Sequence, residues 1–136
     1  MNSKEESDVD SYAVGEHLKM MNEAIVKLRA MQGHEPDSTY QTYEGLVHAL
    51  GEPFERKKLP VQFRRMKRGE CYANSMHCIS KTWDEQYQYV EGYAAGLIPV
   101  QHAWVLDRDD GKIFDPTWPN DDSHRGYWGI PFPPRS

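Results

Sequence analysis

A chain of 136 residues with 16 Lys and Arg against 21 Asp and Glu carries a net charge of −5 and holds one domain's worth of sequence. That acidic balance argues against a dedicated nucleic-acid binder, because phosphate neutralisation normally needs a basic excess. No run approaches the ~20 apolar residues of a membrane span, and the N-terminus is acidic rather than signal-like.

Hydrophobic content is lean at 38%, yet four Trp, eight Tyr and four Phe supply much apolar area, so a small aromatic-rich core is expected. The first stretch, residues 1–10, reads as a disordered acidic leader, with a single domain over 11–136. From Tyr12 to Met31, apolar residues at Val14, Leu18, Met21, Ile25 and Leu28 follow three- and four-residue steps and predict an amphipathic helix stopped by Gly33. A second helix is expected from Asp37 or Ser38 to Gly51, burying Tyr43, Leu46, Val47 and Leu50.

The segment from Arg56 to Arg68 holds seven of the sixteen basic residues and reads as an irregular connector with a short strand at Val61 to Phe63. A third helix is expected from Cys71 to Trp83. Gln86 to Ala94, Val100 to Leu106 and Lys112 to Asp115 then carry strand signals. The proline-rich tail from Pro119 to Ser136 is expected to wrap the surface without regular structure. Helices followed by antiparallel strands make this an α+β chain, with a cysteine-bearing helix packed on a small antiparallel sheet.

Cys71 follows Gly69 and Glu70 at an expected helix start. A thiol there meets unpaired backbone N–H groups and the positive end of the helix dipole, both of which favour thiolate. His102 begins a strand that is apolar on both faces. Asp115 lies one hairpin further on. A thiol nucleophile needs a base, and the base needs a third group to fix its tautomer, so the three residue types occur in a usable order. Singly, each has an ordinary structural explanation; their conjunction points to a thiol site. If Leu106 pairs with Gly111, His102 stands opposite Asp115, and the triad is expected to depend on that register. A tighter Asp110-Gly111 turn would carry the carboxylate about 13 Å from His102.

Gly69-Glu70-Cys71-Tyr72, Val90-Glu91-Gly92-Tyr93, His102-Ala103-Trp104-Val105 and Asp115-Pro116-Thr117-Trp118 together resemble the transglutaminase-like branch of the papain-like cysteine enzymes. The resemblance spans Gly69 to Trp118. It implies a papain-like core with Cys71 as nucleophile, His102 as general base and acid, and Asp115 as the orienting carboxylate. It also implies thioester chemistry on an amide, by hydrolysis or by transfer to an amine. Asn74 departs from the small or apolar residue common at its place in the family.

Other assignments follow from the residues. The backbone N–H of Cys71 is one oxyanion donor, and Gln62 is a candidate second. Tyr72, Tyr93, Trp104 and Trp118 are candidate substrate-lining residues. No cofactor and no metal is expected, since His77 and Cys78 lack metal-ligand spacing; His77 is expected in solvent and Cys78 in the core. On one helix Cys71 and Cys78 would lie about 10 Å apart, too far for a disulfide, so a reduced, cytoplasmic setting is expected. The partner is expected to be a protein, peptide or other amide substrate, with residues 56–68 available to an acidic partner. The alternative class is a non-catalytic binding module on the same fold.

Overall fold

The computed structural model describes residues 3–33, 42–80, 85–95, 98–119 and 126–132, with side chains at 3–9 and 80 left aside. Helix α1 (Ser3–Met31) is followed by α2 (Tyr43–Leu50), β1 (Glu52–Phe54), α3 (Cys71–Ser80), β2 (Tyr87–Ala95), β3 (Pro99–Asp107), β4 (Lys112–Phe114) and β5 (Gly126–Phe132). The α+β expectation holds: three helices pack on one antiparallel sheet in the order β1-β5-β2-β3-β4.

The sheet curls into a half-barrel. Chain leaving β1 returns to the opposite edge, where Ile113 donates to the Glu55 carbonyl at 2.9 Å and Lys57 donates to the Ile113 carbonyl at 2.7 Å. Strand alternation then gives the sheet two faces. The inner one is filled by Phe54, Val90, Ala94, Trp104, Leu106, Ile113 and Tyr127. On the outer one, α3 covers β2 and β3 through Cys78, Tyr87, Val105 and Phe114, joined by Phe63 of the connector. α1 and α2 cover β2 and β5 through Val14, Leu18, Val47, Tyr93 and Ile130. Gly129 leaves room for the indole of Trp104, which a Cβ there would meet at 2.8 Å.

Several sequence expectations need correction. α1 already includes residues 3–10, expected to be a disordered leader, because that stretch holds no Gly or Pro to interrupt a helix. α2 begins at Tyr43 and is capped by Thr42, whose Oγ1 accepts the Gly45 N–H at 2.8 Å; Asp37 and Ser38 lie outside the described residues. Val61 to Phe63 forms no strand, with a turn at Val61 and Gln62, and the strand of this region is β1 at Glu52–Phe54.

The largest difference is β5. The proline-rich tail supplies an internal strand between β1 and β2. Pro131 is tolerated because β1 ends its pairing at Glu52↔Gly129, so its missing N–H costs no bond to β1. Ser11 fastens this strand to α1: its hydroxyl donates to the Phe54 carbonyl at 2.9 Å and accepts the Tyr127 N–H at 3.0 Å.

Candidate active site

Cys71 is the first residue of α3. Gly69 makes the turn before it with φ of 83°, a conformation that glycine adopts freely, and the Glu70 carbonyl accepts the Asn74 N–H at 2.8 Å. Cys71 retains 8% exposure. The backbone N–H groups of Ala103 and Tyr72, and its own, lie close enough to the sulfur to favour its thiolate. Burial pushes the thiol upward and outweighs those N–H groups, and the nearby Asp115 charge adds to the rise. The helix-start expectation of a lowered thiol is therefore reversed in this resting geometry, because a sulfur held this deep loses more hydration than the N–H groups return.

His102 and Asp115 meet on the inner face of the half-barrel. Asp115 Oδ2 lies 2.7 Å from His102 Nε2, with both side chains almost fully buried. The register that joins them is not the expected one. Leu106 pairs with Ile113 and Asp107 with Lys112, leaving the loop Arg108 to Gly111. Continued past β4, this register sets Asp115 opposite Trp104. His102 and Asp115 are thus diagonal neighbours on one face, a separation that an imidazole spans easily. The bond does not depend on direct opposition.

Asp115 is held from every side. Its Oδ1 accepts the N–H groups of Thr117 at 2.9 Å and Trp118 at 3.0 Å, and Oδ2 also accepts the Tyr127 hydroxyl at 2.8 Å. Burial alone would raise the carboxyl, but the His102 hydrogen bond and charge, with the Trp118 and Thr117 N–H groups, hold it below the usual carboxylate range. An ionised Asp115 fixes the Nε2–H tautomer of a neutral imidazole and leaves Nδ1 as its basic nitrogen.

The ring is also packed. Trp118 stacks on His102 with centroids 3.8 Å apart, and Gly92 is its register partner on β2.

The Asp115 loop is tied to its surroundings by residues that sequence reasoning passed over. Asn74 Nδ2 donates to the Thr117 hydroxyl at 3.0 Å and to the Lys67 carbonyl at 2.8 Å, coupling α3 to the loop. Arg56 donates to the Tyr127 hydroxyl at 2.9 Å and to the Trp118 carbonyl at 2.7 Å, and Arg65 donates to that same carbonyl. Lys57 pairs with Asp107 at 2.6 Å and Asp110 at 2.8 Å. Three cations of the basic connector thus build the half-barrel. Asn74 entered the sequence reading only as a departure, and Tyr127 was hidden in the tail.

The remaining candidates divide. Tyr72, 38% exposed, neighbours the thiol. Tyr93 is buried beside it on the outer face, whereas Trp104 lies in the core and Trp118 covers His102. Gln62 is not brought to the thiol; its Nε2 donates to the Tyr87 hydroxyl at 2.9 Å, about five residues or roughly 17 Å along β2 from Gly92. His77 is exposed and Cys78 is buried, each as expected. A groove of about 610 Å³ lined by Met76, Ile79, Tyr87, Tyr89 and Phe132 runs beside α3, away from the sulfur.

Among the described residues the groups that favour the thiolate are backbone N–H groups rather than the imidazole, and Ala103 is the residue next to His102. The His102–Asp115 pair is formed, and the thiol lies near Ala103, the residue next to His102, within reach of the Asp115 charge. No protein-family model, curated protein or solved structure matches this chain.

Proposed function

We propose that the chain is a small cysteine-dependent hydrolase or acyltransferase with a transglutaminase-like, papain-like core, acting on an amide through a thioester in a cytoplasmic setting. The observation that supports this best is the 2.7 Å contact of Asp115 with His102 Nε2, beside a thiol at the first turn of α3. It leaves Nδ1 to take the Cys71 proton. The sulfur then attacks the amide carbonyl carbon, and the resulting oxyanion is held by the Cys71 N–H with its neighbours at the helix start. Protonated His102 gives its proton to the leaving amine as the C–N bond breaks. Water or a second amine, deprotonated by His102, resolves the thioester and returns the thiol.

Catalytic hydrogen bonds often tighten only with substrate bound, so a thiol lying near Ala103 is compatible with this cycle. The raised thiol makes His102 the required base, because little thiolate exists without it. An activated ester such as p-nitrophenyl acetate tests the reading. Wild-type chain should show a hydroxylamine-reversible acetyl adduct on Cys71 by mass spectrometry, and His102→Ala should not. An adduct on Cys78 alone would sink it.

A second reading, a non-catalytic binding module, is favoured by the low exposure of Cys71 and by a groove that lies away from it. Its partner surface would be that groove more than residues 56–68, whose Arg56, Lys57 and Arg65 are committed to internal contacts.

A further inference from the structure

Glu91 is the one charged residue among the outer-face positions of β2, where Tyr87, Tyr89, Tyr93 and Ala95 complete the alternation. It is half-buried and stands opposite Ala103 in the β2–β3 register. Directly opposed residues have Cβ atoms about 5 Å apart. The Ala103 N–H is also one of the groups that favour the Cys71 thiolate, and α3 packs on β3. Carboxylate and thiol therefore flank a single small residue.

Four tyrosines from three elements surround that carboxylate. Tyr89 and Tyr93 flank it on β2, Tyr72 comes from α3 beside the thiol, and Tyr43 comes from α2 with its ring 5.7 Å from that of Tyr93. Burial first pushes the phenols of Tyr43, Tyr72 and Tyr89 upward; the Glu91 charge comes next for Tyr43 and Tyr89 and follows Cys71 for Tyr72, so all three lie within its electrostatic reach. Glu44 adds a second negative charge beside Tyr93. Among the described residues no ion pair joins Glu91 or Glu44 to a base. A half-buried carboxylate set among tyrosines, with no ion-pair partner among the described residues, leaves room for a cation; an ammonium or guanidinium is attracted both to the charge and to aromatic rings.

We propose that Glu91 with Tyr43, Tyr72, Tyr89 and Tyr93 forms a subsite for a cationic group, an ammonium or guanidinium, on the substrate attacked at Cys71. The assignment rests on the thiol reading above and narrows its substrate class to amides that carry a basic side chain or amine near the scissile bond.

Alkylation of the full chain by reagents of different charge tests it. Rates at Cys71 are measured by mass spectrometry with 2-bromoethylammonium, neutral iodoacetamide and anionic iodoacetate. The ratio of cationic to neutral rate should fall on the order of ten-fold in Glu91→Gln, as expected for loss of a nearby, partly shielded charge. It should hold in Glu85→Gln, which removes an exposed charge elsewhere. The anionic reagent should gain in Glu91→Gln. If thermal unfolding shows Glu91→Gln to be misfolded, Tyr72→Leu at an exposed wall position should lower the same ratio. An unchanged ratio, or an equal fall in Glu85→Gln, overturns the subsite while iodoacetamide still selects Cys71 over Cys78. Loss of that selectivity in the wild type overturns the thiol reading and the subsite with it.

Discussion

Asp115 receives four hydrogen bonds on two oxygens while almost fully buried: His102 and Tyr127 on Oδ2, Thr117 and Trp118 on Oδ1. Such a group titrates with the fold. Its carboxyl is depressed in the folded chain, so its contribution to stability is complete above the unfolded value near ~3.9 and is lost as pH falls through the folded value. Asp107, depressed through Lys57 despite its own burial, acts in the same direction. Urea midpoints should therefore be level in pH just above that range and fall below about pH 4, and Asp115→Asn should flatten the acid limb. A limb unchanged in Asp115→Asn would contradict the assignment. Tyr127→Phe removes one donor and leaves the half-buried Arg56 contact unmatched. It should cost about 1–3 kcal/mol in urea unfolding and move the acid limb to higher pH. Residue types were legible at this scale, since thiol, imidazole and carboxylate announce their chemistry. The carboxylate's other partners were not, because Tyr127 and Arg56 lie far along the chain from Asp115.

Among the elements, α3 and the Asp115 loop form one unit through Asn74, which bonds Thr117 and the Lys67 carbonyl. Asn74 is a positioning residue: it touches neither the sulfur nor the imidazole, yet it sets the helix start against the loop. Asn74→Leu should cost about 1–3 kcal/mol and slow alkylation at Cys71 more than at Cys78, measured on protein still folded at the assay temperature. Equal slowing at both cysteines would indicate a merely structural role. The helices and the β2–β3 hairpin were readable because their periods are local. The hairpin register was not. Several turns fit Asp107-Arg108-Asp109-Asp110-Gly111, and the observed one places Gly111 in the loop at φ of 72° with its N–H on the Asp107 carbonyl. The His–Asp contact survives that shift by two positions because side chains reach diagonally across the pleat.

At the level of the whole molecule, the half-barrel is held by chain segments distant in sequence. β5 sits inside the sheet, Ser11 locks it to α1, and residues 55–57 meet β4 to draw the edges together. Removing residues 126–132 should thus abolish the cooperative thermal transition rather than trim a tail, and a truncated chain that still unfolds cooperatively would refute this. Proline and glycine concealed β5 from a reading by composition, since Pro131 is acceptable only where β1 has already ended. The connector misled for a related reason. Its charges suggested solvent, while Leu59, Phe63 and Met66 pack under α3 and its cations cap carbonyls and carboxylates.

The central claim is that Cys71 is activated by His102, and relative alkylation rates test it most directly. With iodoacetamide near neutral pH, Cys71 should react faster than the fully buried Cys78, and His102→Ala should slow Cys71 roughly a hundred-fold or more while leaving Cys78 unchanged. Faster reaction at Cys78, or a Cys71 rate indifferent to His102→Ala, would contradict it.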